Sequence, residues 1–397
     1  MKSEWKVKRL EDVAFINPKE TLIKGTVAKK IGMDKLQPFC RDIPGFEYEA
    51  FSGGAKFRNG DTIMARITPC LENGKTAKVS ILGDGEVGFG STEYIVFRAI
   101  PTVSDPDYLY YLISSPLVRE PAIKSMVGSS GRQRVQTDVV QKLEIAIPEI
   151  DEQIQIASIL KSIDDLIVLN NRVIDNIQKQ TMSIYKSWFV DFELSEIDDE
   201  GKPQGFSEVS LSDLMSYAGG SQPPAEQFIH EEKEGYVRFV QIRDYETSSH
   251  LTYIPVSTRN KLCEEHDIMI ARYGASLGRI CYGINGAYNV ALAKVFPRNP
   301  IYREFLRCYL NSSVFYEGIN NRGGRSAQAG FNQSDIKSFR LQFPNDERII
   351  ERFENIASSM FEKMLRLKKQ NTALALLRDE LLPKLISGDI SACNVQI

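Results

Sequence analysis

The chain has 397 residues, of which 42% are hydrophobic and 25% are charged, as in an ordinary globular protein of two to three domains. Its formal net charge of −3 and its isoelectric point near 5.9 exclude a protein that binds nucleic acid through overall positive charge alone. No run of about 18 apolar residues occurs, and the first residues lack the apolar stretch of a signal peptide. We therefore expect a cytoplasmic protein.

From the N-terminus, residues 1–150 contain short β-branched segments such as YIVFR at 94–98, broken by Gly and Pro. This pattern predicts a first domain of mixed α/β character. Pro148 ends its last strand, and residues 151–190 then run without Gly or Pro, which predicts a long helix. An acidic linker at 191–206 follows it.

The second half repeats this order. Residues 207–345 predict a second α/β domain, residues 346–390 a second long helix, and residues 391–397 a C-terminal tail. Four segments recur in the same order, 196 to 206 residues further on: DTIMAR (61–66) as DIMIAR (267–272), YLISS (111–115) as YLNSS (309–313), the Gly- and Arg-rich 128–148 as 322–344, and the segment from Trp5 as that from Phe206. Such a repeat predicts an α+β protein with two α/β domains in tandem pseudo-repeat.

Both predicted helices carry apolar residues at alternating steps of four and three, the heptad pattern of a coiled coil. Asn170 and Asn371 interrupt the two seams near their midpoints. Antiparallel pairing would bring the two amides together and fix the register of the helices, with the domains held apart by a helical rod. The alternative is two independent amphipathic helices, each lying on its own domain. Asp164 and Asp165 are expected on exposed helix faces.

Motifs for catalysis or metal binding are incomplete in this sequence. NGKT at 73–76 lacks the upstream glycine of a phosphate-binding loop, because Pro69 stands there. NPIY at 299–302 resembles a methyltransferase tetrapeptide, but the one candidate for its glycine-rich cofactor loop, VGFGS at 87–91, has the sequence context of a short strand and turn. The three histidines and six scattered cysteines have no metal-ligand spacing. We expect no catalytic residues, no metal site and no cofactor bound by this chain.

Arginine, lysine and amide side chains recur in the glycine-bearing loops of each half, and these are the side chains that match phosphates and base edges in the major groove of DNA. A solvated surface loop is the alternative interpretation. Arg66 and Arg272 follow apolar runs, and either could instead pair with a carboxylate inside its domain. The candidate DNA-binding residues are Lys56, Arg58, Arg66, Lys75, Arg132, Gln133, Arg134, Gln136, Arg243, Arg272, Tyr273, Arg279, Arg322, Arg325, Gln328, Asn332 and Gln333.

Three motifs at the helix ends carry a family resemblance. They are IPEIDEQIQIASIL at 147–160, SWFVDFE at 187–193 and LLPKLISGDI at 381–390. With the two α/β domains and two long helices, the whole chain resembles the specificity subunit of Type I restriction-modification systems. One departure is that the second helix begins NDERIIERFENIA, with Glu347 and Arg348 where the first has Glu152 and Gln153.

The resemblance implies two target-recognition domains, each reading half of a split, asymmetric DNA sequence, with the helices setting the spacer. It also implies partners: double-stranded DNA, two methyltransferase subunits and ATP-dependent restriction subunits. S-adenosylmethionine, ATP and Mg²⁺ are expected on those partners. Two alternatives stay open, a specificity subunit of a Type II-like system that cuts on both sides of its site and a two-headed coiled-coil scaffold that binds proteins.

Overall fold

The computed structural model describes residues 5–129, 131–199, 201–246, 250–321 and 330–395. The chain divides into two compact units: Met1–Asn170 together with Gln370–Ile397, called unit 1, and Asn171–Lys369, called unit 2. Each unit therefore contains one sheet-bearing domain and a stretch of both long helices. In the parts of the chain that the structure describes, no helix has the length and apolarity needed to cross a membrane.

In its described residues, the domain of unit 1 has ten strands and three short helices, followed by the first long helix. The strands are β1 (Lys6–Arg9), β2 (Ala14–Ile16), β3 (Val27–Ile31), β4 (Glu47–Ala50), β5 (Lys56–Phe57), β6 (Thr62–Ala65), β7 (Thr76–Lys78), β8 (Gly88–Gly90), β9 (Tyr94–Ala99) and β10 (Glu144–Ile147). The helices are α1 (Pro106–Ser114), α2 (Pro116–Lys124), α3 (Thr137–Gln141) and the long α4 (Ile150–Phe189). Short 3-10 turns lie at Leu10–Asp12 and Met33–Lys35.

The described strands of this domain form three sheets. Two have four strands, in the orders β2-β9-β6-β7 and β4-β3-β8-β5, and the third pairs β1 with β10. All pairs are antiparallel except β3 with β8. Ile31, Phe57 and Ile63, from both four-stranded sheets, are fully buried in one apolar cluster. Helix α1 begins where the Asp105 side chain accepts hydrogen bonds from the backbone N–H groups of residues 107 and 108, a normal N-cap.

The domain of unit 2 has the same order of strands, and a short α-helix at Leu211–Leu214 stands where the first domain has the 3-10 turn Leu10–Asp12. Its strands are β11 (Phe206–Ser210), β12 (Met215–Gly219), β13 (Tyr236–Val240), β14 (Tyr253–Pro255), β15 (Leu262–Cys263), β16 (Met269–Ala271), β17 (Ile280–Cys281), β18 (Gly286–Tyr288), β19 (Leu292–Pro297) and β20 (Arg340–Pro344). Its helices are α5 (Leu211–Leu214), α6 (Arg303–Leu310), α7 (Ser313–Asn320), α8 (Gln333–Ser338) and the long α9 (Glu347–Ile386). Five 3-10 turns accompany the described residues, at Ala225–Gln227, Ile242–Tyr245, Gly274–Ser276, Pro300–Tyr302 and Ala392–Asn394, the last belonging to unit 1.

The sheets of unit 2 repeat those of unit 1 strand for strand. Their orders are β12-β19-β16-β17, β14-β13-β18-β15 and β11-β20, and the parallel strand pair of β13 with β18 stands where β3 pairs with β8. The registers also agree, since Ile63 pairs with Val96 and its counterpart Met269 pairs with Lys294. The tandem pseudo-repeat predicted from the short echoes is confirmed.

The two long helices have 40 residues each and pack against each other within each unit. In unit 1, Asn170 is 5% exposed and donates from Nδ2 to Oδ1 of Asn371 at 2.8 Å and to Oε1 of Gln370 at 3.2 Å. Toward the start of α4, Ile156 and Leu160 share an apolar cluster with Leu385. Early residues of α4 thus meet late residues of α9, so the antiparallel pairing and the amide contact are confirmed.

The prediction that Asp164 faces solvent is wrong. Asp164 is 4% exposed, accepts from Nη1 of Arg378 at 2.8 Å, and accepts from the Tyr111 hydroxyl at 2.7 Å. Burial and the neighbouring carboxylate raise the pKa of the Tyr111 hydroxyl. Asp165 is half exposed and pairs with Arg41 at 2.6 Å. A buried carboxylate therefore ties α4 both to α9 and to α1.

In unit 2 the helix seam is apolar. Ile174 packs with Phe361, Met364 and Leu365. Further along, the rings of Tyr185, Phe189 and Phe353 contact one another, with the Phe189 and Phe353 centroids 5.1 Å apart. Buried aromatic pairs of this edge-to-face kind stabilise packing beyond the area that they bury.

The start of α4 is fixed by Gln153, which is fully buried. Its side chain accepts from the backbone N–H of Asp105 and donates to the carbonyls of Val103 and Pro148, all at 2.9 to 3.0 Å. Counted from the first residue of each helix, Ile350 stands in α9 where Gln153 stands in α4, and Ile350 is also fully buried. The sequence alignment of Arg348 with Gln153 is therefore wrong by two positions.

Candidate nucleic-acid interface

In unit 1 the end of the DTIMAR strand lies beside the Gly- and Arg-rich loop. Ile67 forms a β-bridge with Arg134, and the Thr68 hydroxyl accepts from the Gln133 backbone N–H at 3.0 Å. Arg66 donates from Nη2 to the Val135 carbonyl at 3.1 Å. Two segments nearly 70 residues apart in sequence are thereby brought together, and with them Arg66, Arg132, Gln133 and Arg134.

Arg134 forms an ion pair with Glu93, a residue that the sequence did not single out. Its Nε lies 3.0 Å from both carboxylate oxygens, and its Nη2 lies 2.6 Å from Oε1. Arg134 is 48% exposed and Glu93 23% exposed at the side chain. The hydrogen bonds from Arg134, followed by the positive charges of Arg134 and Arg66, lower the pKa of the Glu93 carboxyl. The pair stands at the surface with its outer edge accessible to solvent.

The other loop residues differ in how they are held. Arg132 is exposed, and among the described residues its side chain has no hydrogen bond or ion pair. Gln136 immediately precedes α3, and its backbone N–H donates to the Ser125 hydroxyl at 3.2 Å. The short helix α3 lies between this loop and the last strand of the domain.

Lys56 and Arg66 line one groove of about 680 Å³, together with Lys19 and Tyr94. Lys56 also lies over the ring of Phe51, 5.7 Å from its centroid. Gly54 forms part of the groove floor at a φ of +114°, where an added Cβ would stand 1.9 Å from the Gly90 carbonyl oxygen. Only glycine fits this close approach.

Arg58 and Lys75 have structural partners. Arg58 pairs with the buried Glu20 at 2.7 Å, and Glu20 also pairs with Arg98 at 2.6 Å. Arg98 in turn binds Asp61, which is 1% exposed at the side chain. Lys75 donates to the Met33 carbonyl at 2.8 Å. These two cations hold their own domain together, so they are weaker candidates for DNA contact than the loop residues.

In unit 2 Arg272 stands where Arg66 stands in unit 1. The Arg272 backbone N–H donates to the Ala291 carbonyl at 2.8 Å, just as that of Arg66 donates to the Glu93 carbonyl at 2.9 Å. Within the described ranges, neither arginine lies within 4.0 Å of a carboxylate. The alternative interpretation, in which Arg66 and Arg272 form ion pairs inside their own domains, is therefore not supported by the described residues. The carboxylate of Glu93 itself is replaced by the methyl group of Ala291.

Tyr273 lies against the chain that leaves the second Gly- and Arg-rich loop. A Cβ added to Gly330 would stand 2.6 Å from the Tyr273 ring and 2.7 Å from the Arg272 carbonyl oxygen. The guanidinium of Arg272 also lies 5.1 Å from the Tyr273 ring centroid. As in unit 1, the end of the hexapeptide strand meets the end of the loop.

Arg322, Arg325 and Gln328 lie outside the described residues. Asn332 precedes α8, and its side-chain oxygen accepts from the backbone N–H groups of Ser334 and Asp335, so it caps that helix. Gln333 is the exposed first residue of α8.

Arg243 and Arg279 lie elsewhere in the second domain. Arg279 is the counterpart of Lys75 in the second domain. The carbonyl of each residue accepts a hydrogen bond, at 2.9 Å, from the backbone N–H of the alanine in the hexapeptide of its own domain. Its side chain pairs with Glu246. Arg243 is half exposed, with Nη2 3.4 Å from the Thr252 hydroxyl. Glu246, like Glu93, could not have been found from local sequence, because each meets its arginine only through folding.

Over the residues that the structure describes, no three His, Cys, Asp or Glu side chains converge as a metal site would require. The cysteines of the described residues are free, and three of them, at positions 263, 281 and 308, are buried. Burial raises the pKa of the Cys263 and Cys281 thiols to about 11. These thiols fill apolar space.

The Type I restriction modification DNA specificity domain family matches this chain over residues 2–179 and 203–369. The two matched segments correspond to the two repeats and include most of both long helices. The chain belongs to this family, and its recognition as a Type I specificity subunit is confirmed. Neither the Type II-like system nor the protein-binding scaffold is favoured by the comparisons.

Full-length relatives agree with this placement. The chain is 23% identical to the Type I restriction enzyme MjaIX specificity subunit of Methanocaldococcus jannaschii, covering 98% of this chain and 94% of that one. It is also 23% identical to the HindI specificity subunit of Haemophilus influenzae, over 88% and 89%. The crystal structure of a Type I restriction-modification S subunit from M. genitalium has the same fold, with a TM-score of 0.60, 16% identity and 96% coverage of both chains.

Proposed function

We propose that this chain selects the DNA sequence on which a Type I complex acts, with one half-site read by residues 1–150 and the other by residues 207–345. The observation that carries the proposal is the same juxtaposition in both domains. In each, an arginine at the end of the hexapeptide strand stands beside the end of a segment whose sequence is rich in Gly, Arg and amide side chains, at Val135 in the first domain and at Gly330 in the second. Side chains of this kind recognise phosphates and base edges.

The bipartite character of the site follows from the repeat. Two domains with one backbone topology but different loop side chains would read different base sequences, so the complete site would be asymmetric. Glu93 in one domain against Ala291 in the other is one such difference. The expectation that the helices set the spacer length stays a prediction.

We further propose that catalysis belongs to partner subunits. Two methyltransferase subunits docked on the chain would bring S-adenosylmethionine, and restriction subunits would bring ATP and Mg²⁺. The chain itself would contribute recognition and no reacting group, in the cytoplasm, where the host DNA lies. The incomplete catalytic motifs in the sequence support this division.

Selection from a random duplex library tests the proposal. The chain is assembled with its methyltransferase, and bound duplexes are sequenced at two salt concentrations. We expect one enriched motif with two conserved parts and a non-specific spacer between them. Enrichment of no motif, with binding that depends only on salt, would overturn the proposal. Methylome sequencing of a host that carries both subunits should give the same bipartite motif.

A further inference from the structure

Glu93 has no counterpart in the second domain, although the surrounding backbone is the same. The Glu93 carbonyl accepts from the Arg66 backbone N–H, and the Ala291 carbonyl accepts from that of Arg272. The fold therefore requires only a carbonyl at this position, which any residue supplies. The carboxylate of Glu93 is an addition specific to the first domain.

The Glu93 carboxylate binds one edge of the Arg134 guanidinium. Nε and Nη2 of the guanidinium face Glu93, while no hydrogen bond from Nη1 is formed within the described residues. The free end of the guanidinium, Nη1 and the outer hydrogen of Nη2, is therefore held in one orientation at a half-exposed surface. A guanidinium fixed in this way retains a two-donor fork that matches O6 and N7 of guanine.

The ion pair also makes a contact between Arg134 and a phosphate less favourable. An arginine without a partner is attracted to the nearest phosphate, a contact that is independent of sequence. Glu93 neutralises Arg134 and repels phosphate, so an approach to the backbone is disfavoured. Arg132, two residues away, has no such partner in the described part of the chain and is exposed.

We propose that Glu93 is a specificity-determining residue, which positions Arg134 to read a guanine edge in the half-site of the first domain. Arg132, by contrast, contacts phosphate. This inference rests on the proposed function, because it assumes that the first domain reads DNA. Arg134 is thus assigned a base contact and Arg132 a phosphate contact, although the sequence alone does not distinguish these two neighbouring arginines.

Four single variants and one double variant in the assembled complex separate these roles: Glu93→Ala, Glu93→Gln, Arg134→Ala, Arg132→Ala, and Glu93→Ala combined with Arg134→Ala. Library selection gives the base preference at each position, and titration at several salt concentrations gives the slope of log affinity against log salt. Thermal unfolding checks that each variant is folded. The half-site of the second domain is an internal control in every experiment.

For Glu93→Ala we expect loss of preference at one base pair of one half-site, by roughly tenfold to a hundredfold, the range for a bidentate arginine–guanine contact. Affinity for non-specific DNA should rise, because a negative charge has been removed. Arg134→Ala should lose preference at the same base pair, and the double variant should lose no more than either single one. Glu93→Gln, which keeps one acceptor oxygen, should lie between wild type and Glu93→Ala.

Arg132→Ala is the matched control. It should leave every base preference unchanged and reduce the salt slope by about 0.9, the value for one phosphate contact. If wild type enriches a bipartite motif and Glu93→Ala keeps the same preference at every position, the inference is wrong while the proposed function stands. A uniform loss of affinity with a lowered unfolding temperature would also overturn it, since Glu93 would then be structural. If wild type enriches no motif, the proposed function itself fails.

Discussion

Asn170 of α4 and Asn371 of α9 share a hydrogen bond of 2.8 Å inside the helix seam of unit 1. The Asn170 amide is almost fully buried, and a polar pair at such a position fixes the register of two helices at a cost in stability.

Replacing Asn170 alone should destabilise the protein more than replacing both amides. Asn170→Leu leaves the facing Oδ1 of Asn371 without its Nδ2 donor, at a cost of about 1–3 kcal/mol. The pair Asn170→Leu with Asn371→Leu makes the seam apolar and should be close to neutral. Urea unfolding followed by circular dichroism measures both. A double variant that is as unstable as the single one would contradict the prediction.

Asp164 and Asp165 are adjacent residues that should respond very differently to substitution. Asp164→Ala leaves the largely buried Arg378 with only the exposed Asp379 at 2.8 Å, and it also removes the acceptor of the buried Tyr111 hydroxyl; breaking such a buried pair costs about 3–5 kcal/mol. Asp165→Ala removes a half-exposed partner of Arg41, which keeps Asp42 at 2.8 Å, so the loss should be about 1 kcal/mol or less. Denaturant midpoints decide the order. Equal losses would mean that burial of the first pair does not determine its strength.

The stability of unit 2 should depend on pH through Glu354. Burial raises the pKa of its carboxyl from 4.5 to about 7, although the Glu304 backbone N–H donates to it at 2.9 Å. In the folded protein this group keeps its proton up to about pH 7, whereas in the unfolded chain it loses it near pH 4.5. Its contribution is therefore complete below about pH 4.5 and is lost as pH rises through 7, by roughly 3 kcal/mol.

Glu354→Gln isolates that dependence, because glutamine resembles the protonated carboxyl at all pH values. The free energy of unfolding of the variant relative to wild type should rise between pH 5 and pH 8. Unfolding in urea at four pH values in this window measures the difference. A constant difference across the window would show that Glu354 titrates alike in both states.

Arg66 and Arg272 should each affect a different half of the DNA site. They occupy the same place in the two repeats, and neither has a carboxylate partner within the described residues. Alanine at either position should weaken selection in one half-site only, by about 1–3 kcal/mol for a base contact, or should lower the salt slope by about 0.9 for a phosphate contact. Lys75→Ala, whose ammonium binds the Met33 carbonyl, is the control and should change neither. Loss of both half-sites from one substitution would contradict the assignment.

The architecture was largely predictable from sequence because its signals are local or periodic. Hexapeptides and prolines at a near-constant offset indicate the repeat, and heptad spacing indicates the helix pair. The Asn170–Asn371 contact was predictable for the same reason, since the antiparallel register follows from the seam. The short helices α3 and α8 were missed because a few residues carry too little periodicity.

The electrostatic partners could not be predicted. Glu93 lies 41 residues from Arg134, and Asp164 lies 214 residues from Arg378. Each pair exists only because strands or helices distant in sequence become neighbours. An acidic pair on a helix is usually solvated, and only the approach of α1 and α9 reverses this for Asp164. Glu93, the most informative residue of the candidate site, could therefore be identified only from the structure.

The helix seam of unit 1 contains a pair of amides, whereas the corresponding positions in the seam of unit 2 are aliphatic. Ile174 stands in α4 where Asn371 stands in α9, and Leu367 stands in α9 where Asn170 stands in α4, counted from the first residue of each helix. An identical duplication would set an amide against an aliphatic side chain in both seams. Instead, both amides share one seam, and Ile174 and Leu367 belong to the apolar cluster of the other. The two halves are therefore complementary at the seam and not interchangeable, because each helix carries the amide at a position where the other carries an aliphatic side chain.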